Sequence, residues 1–530
     1  MTATLPNDLR ALLEARAYPH TADSVTLLET HISWVLLVGE FAYKIKRPVR
    51  FPFVDQRSLE RRQFFCHEEV RLNRRFAPTL YLDVVNITLL NGEARMGGEG
   101  DAVEYAVRMR RFDSAQELDR LLANHGVEPS ELAQFGRRLA ELHARMPRAS
   151  STDPWGRPAA VRALILRNFD ETLQAARAVG SAGEVETLRA ALSQKLDSTG
   201  ACLRLRREAG FVREGHGDLH TRNIARIEGR LLAFDCTEFE PSFRWIDVAD
   251  EAALLLVDLE ARGWPLHANA FWNGYLEQSG DYGAHCALDL YKAHRALVRA
   301  KVAALTSVSS TPSSQPPPLL EEHRTLLDRA RHALAPRKVM LLLIGGLSGS
   351  GKTWLARRIA PRLQMIHVRS DAERKRLGGL ELAAPSGSDL GQGLYSSAMT
   401  DAAYQRLTEC SETILTSGYS ALIDATFLRR AERQGFVVLA SRLGVRLGMI
   451  HCRAELPVLR VRLADRQRSG VDASEAEASV LDWQLQRVEP IEADEGIEVI
   501  EIDTSRPELI AFAEAEIGKS LVIDNLSIRP

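Results

Sequence analysis

Residues 339–353, Val-Met-Leu-Leu-Leu-Ile-Gly-Gly-Leu-Ser-Gly-Ser-Gly-Lys-Thr, decide how the second half of this 530-residue chain folds. Val339–Ile344 is a continuous apolar run of strand length, the pattern of a strand covered on both faces in a parallel sheet. It leads into Gly346, Ser348, Gly349, Ser350, Gly351, Lys352 and Thr353, which satisfy the G-x-x-x-x-G-K-[ST] spacing of a phosphate-binding loop. Glycines at those points let backbone N–H groups converge on phosphate oxygens at a helix N-terminus, where the helix dipole favours anions. Lys352 supplies a point charge to the β- and γ-phosphates, and the Thr353 hydroxyl is the expected ligand of Mg²⁺. Such a match arises by chance in roughly one chain in fifty of this length, so the signal is specific.

Beyond the loop, strand and helix signals alternate. A helix over Thr353–Leu363 is followed by strands at Gln364–Val368, Ala421–Ala425, Gly448–Cys452 and Ile497–Ile502, with helices between them. That alternation predicts an α/β domain with a parallel sheet and right-handed crossovers. Its chemistry-bearing residues fall where strands end: Ser370-Asp371-Ala-Glu-Arg374-Lys375, then Asp424, then Arg460, Arg462, Arg466 and Arg468. Ligands collect at that edge in open α/β folds. This half resembles the small P-loop kinases that phosphorylate hydroxyls, among them gluconate kinase, polynucleotide 5′-kinases and zeta-toxin-type sugar-nucleotide kinases. The resemblance implies that Asp371 takes the proton of the acceptor hydroxyl and that Arg374 holds a substrate anion. It places Asp424 near Mg²⁺ or the attacking hydroxyl, and makes Arg462 and Arg466, four apart on one helix face, lid arginines. The plainer readings are an N-cap for Asp371, a strand-end cap for Asp424 and solvated arginines.

A second constellation lies in the first half. His216-Gly-Asp218-Leu-His220-Thr-Arg-Asn223 matches H-x-D-x-x-x-x-N, in which an acid accepts a hydroxyl proton and an Asn five residues on holds Mg²⁺. Strands at Asn223–Ile227 and Leu231–Asp235, joined by Glu228-Gly229, return the chain to Asp235, a second candidate for the metal. Upstream, short strands at Ser24–Leu28, Ser33–Val38 and Phe41–Lys46 precede a charged helix over Ser58–Arg75 and strands at Thr79–Leu90 and Glu104–Phe112. From Ser114 the pattern is mostly helical. Small β lobe then larger helical lobe is an α+β, protein-kinase-like layout. Lys44, in Ala42-Tyr-Lys44, is the expected nucleotide lysine, with Lys46 on the same face as alternative, and Glu69 (or Glu68) is its expected partner.

HGDLH followed by a strand ending in Asp resembles the aminoglycoside phosphotransferase and choline kinase group rather than protein kinases. The chain has Asp235-Cys-Thr-Glu238 in place of DFG, and only one glycine in Val38-Gly39-Glu40 where a glycine-rich loop is looked for. The acids Asp247, Asp250 and Glu251 could receive a cationic substrate, or simply begin a helix. The order of the halves resembles bacterial fusions of an aminoglycoside phosphotransferase family domain with a P-loop kinase.

Composition agrees with such an assignment. Hydrophobic residues make up 45% and the formal net charge is −2, so no global field recruits nucleic acid or membrane. Six scattered cysteines suit a reducing compartment, and neither a signal peptide nor an apolar membrane span is visible. We expect a cytoplasmic protein with residues 1–335 forming the kinase-like domain and 336–530 the P-loop domain, the Ser/Pro tract 306–318 acting as linker. The expected function is a bifunctional phosphotransferase using ATP and Mg²⁺, with small-molecule or nucleotide hydroxyls as acceptors. Two alternatives stay open: that only the P-loop half is a kinase while the first half senses nucleotide or holds substrate, or that the P-loop is an ATPase switch controlling partner binding. A nucleic-acid end as acceptor is not favoured, no protein partner is readable, and no motif names either acceptor.

Overall fold

The protein is described from a computed structural model covering residues 5–51, 54–309, 318–384, 392–469 and 478–506. Its first sheet is antiparallel. From edge to edge its strands are Val25–Glu29, Ser33–Val38, Phe41–Lys46, Glu104–Arg110, Tyr81–Leu90 and Glu93–Met96. Alternation assigns the two faces. Trp34, Leu36, Val38, Tyr43 and Ile45 pack with Leu9 and Leu12 of the N-terminal turn, while Lys44 and Lys46 project from the opposite face. That face is covered by the Leu59–Asn73 helix, whose Cys66 and Val70 pack with Tyr81 and Val107. Ser58 begins this helix by accepting a hydrogen bond from the Arg61 N–H.

A helical lobe follows, built around the Val248–Ala261 helix, which is buried from Val248 to Leu259 as an apolar helix must be. The Pro129–Arg145 and Pro265–Ser279 helices cross in close contact because glycines stand at the crossing. A Cβ on Gly136 would lie 2.2 Å from the Phe271 carbonyl oxygen, and one on Gly274 2.1 Å from that of Ala133. Cys202 and Cys286 form a disulfide between the Arg189–Glu208 and His285–Ser309 helices, with Cα atoms 6.2 Å apart. Their 84-residue separation offers no pattern to the eye, so the scattered-cysteine reading missed the pairing. The His285–Ser309 helix also runs into the Ser/Pro tract, correcting its expected start at residue 306; residues 310–317 lie outside the described residues. The Pro318–Leu334 helix then packs on His285–Ser309 and Val248–Ala261, with His323 Nδ1 donating to the Ala300 carbonyl and its Nε2 hydrogen-bonded to Ser181 Oγ.

The last sheet is parallel throughout, in the order Ile366–Arg369, Ala421–Asp424, Met340–Gly345, Arg446–Arg453, Glu498–Asp503. Its register sets Ile344, Asp424 and Arg369 side by side at the carboxyl ends. The edge strand Ile366–Arg369 is covered by the other half of the chain. Asn273, on the Pro265–Ser279 helix, donates to the Met365 carbonyl at 3.0 Å and accepts from the His367 N–H at 2.9 Å, using its amide as a surrogate strand. Asp289 adds a second tie, taking Arg337 at 2.6 Å and the Tyr419 hydroxyl at 2.5 Å. Among the described residues no helix is long and apolar enough to cross a membrane.

Candidate functional site

Two clefts gather the candidate residues. In the first, Lys44 Nζ lies 2.9 Å from Glu69 Oε1 and 2.5 Å from Asp235 Oδ1. Lys46 bonds both Glu69 and Glu238, all three fully buried, so the runner-up lysine is an internal ion-pair partner. Burial works against the Lys44 ammonium, yet Asp235 and Glu69 hold its pKa well above the ordinary lysine value. Asp235 shows the reverse balance: burial raises its carboxyl, and Lys44 pulls it below the usual range. Its backbone is left-handed (φ 64°), a conformation a non-glycine residue keeps only when held, here by the Asp235 N–H donating to the Tyr81 hydroxyl and the Cys236 N–H to Asn73 Oδ1.

Asn223 Nδ2 donates to the Asp218 carbonyl at 3.0 Å and lies 3.3 Å from its Oδ2, while His220 Nε2 stands 3.4 Å from the same oxygen. Burial alone would raise the Asp218 carboxyl, but His220 and His216 hold it down to about 2, so it is ionised at neutral pH. The Asp218 and Asp235 side chains are 50% and 44% exposed, open to a ligand, whereas Glu69 is sealed. The backbone of the 216–223 loop is fixed from below: Glu251 Oε2 accepts the N–H groups of His216 and Gly217, and its Oε1 lies 2.8 Å from His143 Nε2.

The acidic cluster is spent internally, which overturns its reading as a receptor for a cation. Asp247 and Asp281 clamp Arg206, Asp250 pairs with Arg295 through two contacts of 2.8 Å, and Glu251 supports the loop; all are buried. Among the described residues no glycine-rich cover loop stands over the cleft either. Thr30–Ser33 is a tight turn with Ser33 N–H donating to Thr30 Oγ1, and Gly39-Glu40 only joins the next two strands.

The second cleft is a cavity of about 660 Å³ lined by Lys352, Thr353, Asp371, Arg374 and Asp424 among others. The loop needs its glycines. Gly346, Gly349 and Gly351 have φ of 132°, 83° and 83°, and a Cβ on Gly346 would sit 2.2 Å from the Cys452 carbonyl oxygen. Thr353 Oγ1 donates to Asp424 Oδ2 at 2.7 Å, and His367 Nε2 lies 3.3 Å from that oxygen. Burial raises the Asp424 carboxyl, but His367 and Arg369 bring it below the usual range. Arg374 donates to the Leu394 carbonyl and to Thr400 Oγ1 and stacks over Tyr395.

Arg462 departs from the lid expectation. Its guanidinium is bound to Thr504 Oγ1 at 2.9 Å, Thr504 O at 2.8 Å and Gly349 O at 3.3 Å, tying the end of the last strand to the loop. Arg466 belongs to the Leu456–Ser469 helix, but its side chain lies outside the described residues. Sequence reading missed Gln484, whose amide accepts the Ser348 N–H at 2.8 Å and donates to Ser348 Oγ at 2.9 Å, and missed Arg429 and Arg487, which line the same cavity. A lone Gln on a late helix carries no motif.

Among the described residues, no group of three or more His, Cys, Asp or Glu could hold a metal alone. Mg²⁺ asks for less: it keeps waters and takes one or two carboxylates with phosphate oxygens. The Thr353–Asp424 pair is a hard oxygen donor set that fits it, and in the first cleft Asp235 with Asn223 offers the same donor chemistry. Ser350 Oγ is buried in the loop with no partner, an unused donor beside the lysine expected to meet phosphate.

A family model described as an AAA domain matches residues 341–491. A shikimate kinase of Rhizobium leguminosarum is 31% identical over 147 residues, 27% of this chain and 71% of that enzyme. The protein is a kinase. Through its C-terminal domain the chain belongs to the P-loop kinase family that includes that enzyme, joined here to a domain with an antiparallel sheet and a helical lobe. An uncharacterised protein of Mycobacterium tuberculosis is 29% identical over 473 residues, spanning 88% of this chain and 92% of its own. Among solved structures, an ethanolamine kinase of Plasmodium vivax is similar with a TM-score of 0.35 at 10% identity, over 59% of this chain and 82% of that one.

Proposed function

We propose that the chain is a bifunctional ATP-dependent phosphotransferase, residues 1–335 and 336–530 each passing the γ-phosphoryl group of ATP to a hydroxyl of a small molecule or nucleotide. One observation carries this: each cleft assembles a lysine, a strand-end acid and a second acid from separate elements, as Lys44, Asp235 and Asp218 in the first and Lys352, Asp424 and Asp371 in the second. Phosphoryl transfer asks for little more than this positioning and charge neutralisation.

In the second cleft the acceptor oxygen attacks the γ-phosphorus, its proton passes to Asp371, and the bond to the bridging oxygen breaks to leave ADP. Lys352 meets the β/γ oxygens, and Thr353 and Asp424 would hold Mg²⁺, which would supply positive charge at that end of the cleft. Arg374, Arg429 and Arg487 line the cavity with Glu432 and Glu489, and since Arg429 is bound to Glu432 at 2.8 Å, Arg374 and Arg487 are the cations suited to an acceptor carrying a carboxylate or phosphate. In the first cleft Asp218 takes the proton, Lys44 meets phosphate, and Asn223 with Asp235 would hold the metal. ATP and Mg²⁺ are the cofactors of both reactions, and the cytoplasm is the compartment.

The glycine-free Thr30–Ser33 turn favours a second reading, in which the first half holds nucleotide without turning it over. ADP release by the wild type, Lys352→Ala, Asp218→Ala and the double variant, across a panel of hydroxyl metabolites, separates the two. Turnover untouched by Asp218→Ala for every acceptor supports the second reading and sinks the bifunctional one.

A further inference from the structure

The second cleft draws on a side chain from the other domain. Glu277, on the Pro265–Ser279 helix, is 8% exposed. Its Oε1 lies 2.5 Å from Arg369 Nη1 and 3.4 Å from Arg357 Nη2, and its Oε2 accepts from Arg137 Nε at 2.9 Å. Arg369 ends the edge strand two residues before Asp371, and its Nε lies 4.0 Å from Asp424 Oδ2, the oxygen that accepts from Thr353. Two carboxylates therefore face one buried guanidinium. The distances show which one holds it: Arg369 is in hydrogen-bond contact with Glu277 and stands off from Asp424. Backbone contacts fix this arrangement, since Arg376 donates to the Glu277 carbonyl at 2.7 Å and Asn273, one turn earlier, pins the same strand.

We propose that Glu277, contributed by the N-terminal domain, is a positioning residue of the C-terminal site, holding Arg369 off Asp424 so that the Asp424 carboxylate stays available to Mg²⁺ beside Thr353. The proposal rests on reading that cleft as a Mg·ATP site. Among the described residues Asp424 is the other acid within 4.0 Å of Arg369, so without the Glu277 charge the guanidinium closes on it, and a guanidinium paired with that carboxylate competes with the cation.

Calorimetric titration of the full chain with ADP, once with Mg²⁺ and once with EDTA, tests this through the binding event that Lys352→Ala removes. In Glu277→Gln the tightening of ADP by Mg²⁺ shrinks roughly tenfold, the scale of losing a residue that orients a metal ligand, while metal-free ADP binds unchanged. Glu277→Asp recovers part of the effect, and carries the comparison should the Gln variant fail to fold. The Glu277→Gln/Arg369→Met double variant, which removes the competing cation, recovers most of it. Asp289→Asn, which breaks the separate interdomain contacts to Arg337 and Tyr419, leaves the Mg²⁺ effect intact. An undiminished Mg²⁺ effect in Glu277→Gln, or an equal loss in Asp289→Asn, overturns the proposal. A wild-type chain showing no Lys352-dependent ADP binding overturns the reading of this cleft as a Mg·ATP site, a different result from either.

Discussion

The ammonium of Lys44 lies 2.5 Å from the carboxylate of Asp235, 191 residues further along the chain, and the same nitrogen reaches Glu69 on the intervening helix. Strand, helix and hairpin thus converge on one cation. Lys44 is paired on both sides while Asp235 stays 44% exposed, so under the proposed function a polyphosphate bound there would share Lys44 with Glu69 and Mg²⁺ would relieve Asp235.

Replacing Lys44 by Met removes that cation while keeping the volume of the stem. In a Lys352→Ala background, which silences the second cleft, the remaining ADP release should fall roughly 10²–10³-fold, the scale of losing one preorganised charge at a transferring group. Steady-state ADP release measures it, and unchanged turnover would place the activity elsewhere.

Asp371→Asn should lower kcat for acceptor phosphorylation by roughly 10²–10⁴-fold, the range of a general base. ADP affinity should stay put, because the residue lies in the first turn of the Ser370–Leu377 helix rather than in the phosphate loop. Coupled kinetics with parallel ADP titration distinguish this from a fold defect. Hydrolysis of ATP undiminished by the substitution would favour the ATPase-switch reading.

Glu251 predicts a pH effect on stability. Burial alone would raise its carboxyl, but the His143 hydrogen bond and the N–H of Gly217 hold it to about 2, against 4.5 for the free side chain. A folded value below the unfolded one means the contribution is complete above about pH 5 and drains away as pH falls through 4.5 toward 2, on the order of 3 kcal/mol in all. Glu251→Gln should therefore unfold at lower urea than wild type at pH 7, with the gap narrowing as the pH is lowered to about 3. A gap that stays constant would show that the carboxylate charge is not what stabilises the loop.

Gly274→Ala places a methyl group 2.1 Å from the Ala133 carbonyl oxygen. Neither backbone can yield locally, so the two crossing helices must part, at a cost of about 1–3 kcal/mol. Thermal unfolding of the full chain checks this, and the same change at the open Gly183, whose added Cβ would meet no atom within 4 Å, is the control.

Much of this architecture is legible in the sequence because its signals are local. Six residues of alternation give Ser33–Val38 and Phe41–Lys46 to the residue, and the apolar run before Gly346 gives the central parallel strand. The loop glycines, Lys352 and Thr353 form one motif, as do Asp218 and Asn223. What stayed hidden depends on pairs far apart in the chain. Asp250 looks solvated until Arg295 is folded against it, Arg462 looks like a lid until Thr504 claims it, and nothing near Glu277 announces Arg369. Charged residues read from sequence carry a type and a helix face but not a partner, and partnership decides whether they are structural or reach a ligand.

The Pro265–Ser279 helix turns the join between the halves into something less separable than a tether. Tyr275 on it meets His143, which meets the Glu251 that seats the 216–223 loop, and Glu277 two residues on meets Arg369 beside the second cleft. A single turn of helix is common property of both centres. Shuffling either half onto a foreign companion would strip the recipient of a wall it was shaped against, so the pair is expected to be inherited together or not at all.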